Sequence, residues 1–280
     1  MRALVVNADD FGFTRDVNSG IIQAHREGIL TATTLMANGA AFEDAVVLAR
    51  ENLTLDIGVH LQMVQGDSLR QPSRSLPASP LALIGELALG RWNVLGELRA
   101  QVDKILAAGI VPTHLDTHKH THLLPPVLDA VCRISQEYGI RWVRKPFDFS
   151  IEVKPIGVGT RIAAIAMGSM RQRFNRVLPS HTSLSTDHFA GFAWTGNYTA
   201  ADLIALIHRL PLGSTELMTH PGHFGLELRQ ANTRLKQSRE QELQALIDPR
   251  VRDAIASAGI QLGGYRMLDR MRQHDLEGGT

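Results

Sequence analysis

Short apolar runs of strand length alternate with amphipathic stretches of helix length along most of this chain, and that order admits few folds. Ala3–Asn7 reads as a buried strand, followed by a helix from about Val17 to Glu27 that stops at Gly28. Thr31–Met36 is a second strand, Phe42–Arg50 a second helix and Leu55–Leu61 a third strand. Trp92–Ala108 is helical with Gly109 as its stop, and Thr113–Asp116 starts another strand. Pro125–Tyr138 is a helix ending at Gly139, and Ile140–Val143 is a strand. The alternation resumes with a helix near Ala200–Arg209, a strand at Thr215–Thr219 and two closing helices after Lys236. Strand and helix in repeated succession predict an α/β protein, a parallel sheet wound by helices and either open or closed into a barrel.

Two segments interrupt the rhythm. Gln62–Leu89 is rich in Pro and Ser and reads as a long loop beside a strand end, while Ile151–Leu178 reads as a basic helical insertion carrying Arg161, Arg171, Arg173 and Arg176. No linker divides the chain, so residues 1–268 are expected to form one domain, with residues 269–280 a frayed tail. The hydrophobic content of 44% suffices for a sizeable core. Basic and acidic residues nearly balance, 29 against 28, so no strong long-range field for nucleic acid or an anionic membrane follows from overall charge. A lone cysteine, Cys132, excludes a disulfide framework and a thiolate metal cluster, and it sits in an apolar helical pattern as a small core residue. The first apolar run is too short for a signal peptide and ends on two acids, and no run has the length of a membrane span. The expected compartment is the cytoplasm.

Polar, metal-competent residues close three of the expected strands. They are the Asn7-Ala8-Asp9-Asp10-Phe11-Gly12 run, His60 at the end of IGVHL, and the stretch from His114 through Asp116, His118 and His120 to His122. In parallel α/β folds the strand carboxyl ends converge on one face, so residues distant in sequence meet there. One carboxylate and two neutral imidazoles form a ligand set with open positions, suited to Zn²⁺ or another first-row ion and compatible with Mg²⁺. A second carboxylate beside that set would act as general base on a water that the cation acidifies, and the Asp9-Asp10 pair supplies both roles. Within the His run, spacing leaves His118, His120 and His122 open as ligands. His118 and His122 would share a face if the run is helical.

Two further residues complete a hydrolase. Arg144 closes a strand before a Pro-Phe turn and would pair with the base carboxylate, keeping it ionised. His220, in a Thr-His-Pro-Gly turn, would protonate a leaving amine or support an oxyanion, with His223 as competitor. Each residue also has a plainer reading: a helix cap for the Asp pair, a hydrogen-bonded structural histidine for His60, a solvated loop for the His run, a surface arginine for Arg144.

In this order, the segments NADDFG, GVHL, THLDTHKHTH, RKPFD and ELMTHPG resemble the YdjC-like carbohydrate deacetylases, over Ala3 to about Gly222. The resemblance implies a distorted (β/α) barrel, a divalent cation (Mg²⁺ or Zn²⁺) and often a homodimer. Carried over motif by motif, it implies Asp10, His60 and His118 as ligands, Asp9 as base, Arg144 as the orienting arginine and His220 as the carboxyl-terminal histidine. The implied reaction is hydrolysis of the N-acetyl group of an N-acetylglucosamine-type sugar, a small-molecule substrate. The HKHTHLLP run and Asp187–Gly196 are similar to the hopanoid-biosynthesis-associated branch, which implies a lipid-linked amino sugar in place of a chitooligosaccharide. The low aromatic content, 5%, leans the same way, because long chitin clefts use aromatic platforms. The insertion is apolar on one side and basic on the other, the pattern of a lid or a transient membrane-surface contact, or of an ordinary core-covering helix. A metal-dependent amidohydrolase or phosphoesterase and a non-catalytic metal- or sugar-binding barrel are the rival classes. A glycosidase lacks an evident pair of acids on separate strands.

Overall fold

In the computed structural model, which describes residues 1–149 and 157–277, strands and helices follow one another as the alternation requires. In chain order they are β1 (Arg2–Phe11), α1 (Arg15–Glu27), β2 (Ala32–Leu35), α2 (Phe42–Glu51), β3 (Asp56–Leu61), α3 (Pro80–Ala88) and α4 (Val94–Ala107). Then come β4 (His114–Thr117), a 3₁₀ segment (His118–Leu123), α5 (Pro125–Tyr138), β5 (Trp142–Val143), α6 (Val158–Ser169), α7 (Arg171–Ser180) and β6 (His188–Ala190). The chain closes with α8 (Ala200–Ile207), β7 (Gly213–Thr219), α9 (Leu226–Gln230), α10 (Gln237–Ile247), α11 (Pro249–Ser257), β8 (Gln261–Leu262) and α12 (Tyr265–Glu277).

The strands pair in the order β5-β4-β3-β2-β1-β7-β6, all parallel, with β8 added beside the amino end of β1. Single parallel bridges, Trp142 to Leu184 and Asp148 to Phe189, link the two ends of the sheet, and Phe149 donates its N–H to the Phe189 carbonyl at 2.9 Å. The sheet is therefore curled into the distorted barrel that the family resemblance implies, closed irregularly on one side.

Alternation along β1 explains how this scaffold builds a site. Leu4, Val6 and Ala8 belong to the large core beneath the helices, whereas Ala3 and Val5 join Ala32, Trp142 and Tyr265 in a second cluster. Strand residues two apart share a face, so Asn7 and Asp9 continue the Ala3-Val5 row toward the carboxyl end. The barrel is apolar at its foot and polar at its mouth.

Several elements differ from the sequence reading. The Pro/Ser-rich stretch contains α3, begun by Pro80 and capped by Ser79, whose hydroxyl accepts from the Ala82 N–H at 3.2 Å. Three helices, not two, follow Lys236. The expected tail is helical: α12 runs on to Glu277, and Asp269 accepts the Trp142 indole N–H at 2.9 Å. The insertion forms α6 and α7; its first residues, 151–156, lie outside the described residues. Cys132 is fully buried in α5, as expected. Among the described residues no helix is long and apolar enough to cross a membrane.

Candidate active site

Asp9 and Asp10 are neighbours in a strand and should face opposite sides of the sheet. They do not, because β1 shifts register between Ala8 and Phe11 and Asp10 adopts φ 70°, left-handed backbone that a non-glycine residue rarely takes. Such strain persists where the surrounding structure enforces it, and here it turns both carboxylates to the barrel mouth. Both are buried.

Asp10 Oδ1 lies 3.3 Å from His60 Nε2, at the end of β3, and 3.3 Å from His118 Nδ1, just after β4. The two imidazole nitrogens are 3.2 Å apart. Neighbouring groups fix the tautomers. His60 Nδ1 sits 2.7 Å from Asp116 Oδ1, an acceptor, so in the neutral ring Nδ1 carries the hydrogen and Nε2 presents its lone pair toward Asp10. His118 Nε2 sits 3.0 Å from the Gln65 amide oxygen, another acceptor, which leaves the Nδ1 lone pair toward Asp10. Asp10 Oδ1 is buried with no hydrogen-bond donor, while Asp10 Oδ2 is paired with Arg239. With both rings neutral, Asp10 Oδ1, His60 Nε2 and His118 Nδ1 turn three lone pairs on one point, and that donor set fits a divalent metal ion. The same field is visible in the His60 imidazole: burial opposes its charge, yet Asp116, Asp10 and Asp9 carry its pKa up to about 10. Burial likewise disfavours ionised Asp10, and Arg239, His118 and His60 outweigh it, holding the carboxyl well below the usual range.

Arg144 ties the second half of the site together. Its Nη2 and Nη1 donate to the two oxygens of Asp9 at 2.7 and 2.8 Å, Nη1 also reaches Asp116 Oδ2 at 2.7 Å, and Nε donates to Glu216 Oε1 at 2.6 Å. All four side chains are buried. Burial works against the Asp9 charge, but the bidentate guanidinium prevails and keeps that carboxyl below the ordinary carboxylate range. Glu216 goes the other way: burial pushes its carboxyl up, against the pull of Arg144. Asp116 bridges the halves, since Oδ1 faces His60 and Oδ2 takes both Arg144 and the Thr34 hydroxyl, the latter at 3.1 Å.

His220 follows β7 and places Nε2 3.8 Å from Asp9 Oδ2. Burial lowers its pKa to about 4 despite Asp9 and Asp10, so the ring is neutral at pH 7. Its backbone N–H is held by Glu242 Oε2 at 2.6 Å. His220 lines the cavity over the site, whereas His223 is not among the lining residues.

The His run is a 3₁₀ segment broken from within. Lys119 and His120 both adopt left-handed backbone, φ 53° and 51°, so the helical face expected to pair His118 with His122 does not exist. Only His118 reaches Asp10. His122 lies between the Thr117 hydroxyl, 2.6 Å from Nδ1, and the Arg144 carbonyl, 3.1 Å from Nε2, and so braces Arg144. His120 packs against Phe189 and Phe192 at the cavity wall.

Sequence reasoning gave no role to Thr34, Gln65, Glu216 or Arg239, and named Asp116 only among the metal-competent residues of its strand end. Asp116 stood inside a quoted motif, and the pairing of β3 with β4 sets it opposite His60. Arg239 comes from the first turn of α10, with no local signal of any kind. Above the site lies a cavity of about 630 Å³, whose wall includes Asp9, Asp10, His60, His118 and His220. A second, of about 970 Å³, shares Gln65 and His118 with it.

Known proteins agree with this architecture. Residues 3–257 match the family described as YdjC-like protein. A carbohydrate deacetylase of Brevibacillus brevis is 31% identical over 274 residues, 95% of this chain and 99% of that protein. A carbohydrate deacetylase of Geobacillus stearothermophilus is 30% identical over 95% of this chain and 97% of its own. A crystal structure from Enterococcus faecalis, of a protein described by cellobiose-phosphate cleavage, superposes with a TM-score of 0.74 at 24% identity, over 95% of this chain and 98% of that one, and so shares the fold.

Proposed function

This chain belongs to the YdjC-like family, and on that premise we propose that it is a divalent-metal-dependent carbohydrate N-deacetylase, releasing acetate from an N-acetylglucosamine-type sugar. The observation that carries the reading is the convergence of Asp10 Oδ1, His60 Nε2 and His118 Nδ1 beside a carboxylate, Asp9, that Arg144 keeps ionised. Two nitrogens and one oxygen favour Zn²⁺ or another first-row ion over Mg²⁺, which prefers oxygen donors.

Asp10, His60 and His118 would hold the cation, which when bound would supply Lewis acidity toward the acetamide carbonyl and an attacking water. Asp9 takes the proton of the attacking water at Oδ2, the oxygen nearer His220. Arg144, gripping both oxygens, fixes the direction of that transfer and keeps Asp9 deprotonated beforehand. Because the His220 ring is neutral at pH 7, its part is to relay the proton from Asp9 to the departing sugar nitrogen. Water and amide are consumed; acetate and a free amine are produced. An N-acetylglucosaminyl group on a hopanoid lipid and a chitooligosaccharide are the two substrates the sequence resemblance points to.

A two-metal phosphoesterase is disfavoured by one contact. The other carboxylate-imidazole trio, Asp9, His60 and Asp116, is bridged by Arg144, so a guanidinium already stands where a second cation would. Acetate release from N-acetylglucosaminyl substrates, with and without chelator and in His60→Ala and Asp9→Asn, tests the proposal. Undiminished release after metal removal, or in both variants, refutes it.

A further inference from the structure

Helix α6 buries none of its residues, which sets it apart from a core-covering helix. One side, through Gly159, Thr160 and Ala163, lines the cavity above Asp10. The other presents Val158, Ile162 and Ile165 to solvent at 76%, 63% and 69% exposure. Those three recur at the i, i+4, i+7 spacing that makes one continuous stripe along a helix. Solvent-facing aliphatic side chains are unremarkable singly, but a stripe of them at the rim of a binding cavity marks a contact surface.

Charge identifies the occupant. Residues 157–180 contain four arginines, Arg161, Arg171, Arg173 and Arg176, and no acidic residue. All four are exposed, Arg173 with an ion-pair contact to Asp129 at 3.0 Å. A second copy of this chain docked through the same stripe in a two-fold pair would set arginines against arginines. An anionic lipid surface accepts both features at once: aliphatic side chains enter the headgroup boundary and the arginines meet lipid phosphates. At 12 residues α6 cannot span a bilayer, but it is long enough to lie in its surface. We propose that α6 docks this protein peripherally on an anionic bilayer, with the cavity mouth beside the membrane surface. This holds whatever reaction the site performs, because docking requires no turnover.

Co-sedimentation with phosphatidylcholine vesicles, with and without phosphatidylglycerol, tests it on the full chain. The wild type should sediment with the phosphatidylglycerol vesicles and be released by salt. Ile162→Glu with Ile165→Glu should weaken that binding by about tenfold or more, and Arg161→Glu alone by about fivefold. Circular dichroism should be unchanged, as expected for exposed positions. The proposal is overturned if the wild type ignores anionic vesicles, or if both variants bind them as the wild type does. It is equally overturned if the stripe proves to join two copies, seen as a dimer that the double substitution splits while no vesicle binding occurs.

Discussion

Arg144 grips both carboxylate oxygens of Asp9, at 2.7 and 2.8 Å, while its Nε is anchored 2.6 Å from Glu216 on the neighbouring wall of the barrel. The guanidinium therefore has two duties, balancing buried carboxylates and aiming one of them. Substitution separates these. Arg144→Ala leaves Asp9 and Asp116 buried without their partner and should cost about 3–5 kcal/mol of stability, read as a fall in chemical-denaturation midpoint. Arg144→Lys retains a charge but loses the fork, so kcat should drop about 100-fold with metal stoichiometry unchanged. Equal loss of metal and activity in the Lys variant would show that Arg144 serves the cation and not Asp9.

Asp116 should act on the metal through His60. Its Oδ1 fixes the His60 tautomer at 2.7 Å. Asp116→Asn should therefore weaken Zn²⁺ binding by about 10–100-fold, measured by calorimetry against a chromogenic chelator. Unaltered affinity would mean that the contact only packs the barrel.

The two histidines four residues apart should part company. His118→Ala should reduce metal affinity by more than about 100-fold, because Nδ1 faces Asp10. His122→Ala should leave metal binding intact and lower stability by about 1–3 kcal/mol, because its ring bridges Thr117 and the Arg144 carbonyl. The reverse pattern would assign the ligand to His122.

Metal binding should release protons. Without a cation, the His60 pKa of about 10 keeps the ring protonated at pH 7, and a ligand must be neutral. Calorimetry in buffers of different ionisation enthalpy should report about one proton released per ion at pH 7, and apparent affinity should rise with pH toward 10. The stability of the metal-free protein follows the same group. Its folded pKa lies above the ordinary imidazole value of 6.5, so the stabilisation is complete below that value and is lost as pH rises through about 10. A metal-free protein that gains stability between pH 7 and pH 10 would contradict this.

How far the residues disclosed the site depends on how local each signal was. β1, β3, β4, β5 and β7 were legible because their apolar runs end on polar groups, and Asp10, His60 and Arg144 stand at or just beyond such ends. β6 and β8, of three and two residues, are too short to carry a period. The choice among His118, His120 and His122 was undecidable because two consecutive left-handed residues obey neither helical nor extended spacing. Nor could alternation foresee that Asp9 and Asp10 face the same way, since that needs the bulge at the end of β1. Arg239 reaches Asp10 across 229 positions of sequence, and only the closed fold reveals it.

Metal content and acetate release measured on the same samples test the central claim most directly. The account predicts one tightly bound divalent ion per chain, acetate release that disappears with the ion and returns on its re-addition, and loss of both in His60→Ala. Full acetate release from metal-free protein, or an ion retained by the His60→Ala variant, would contradict it.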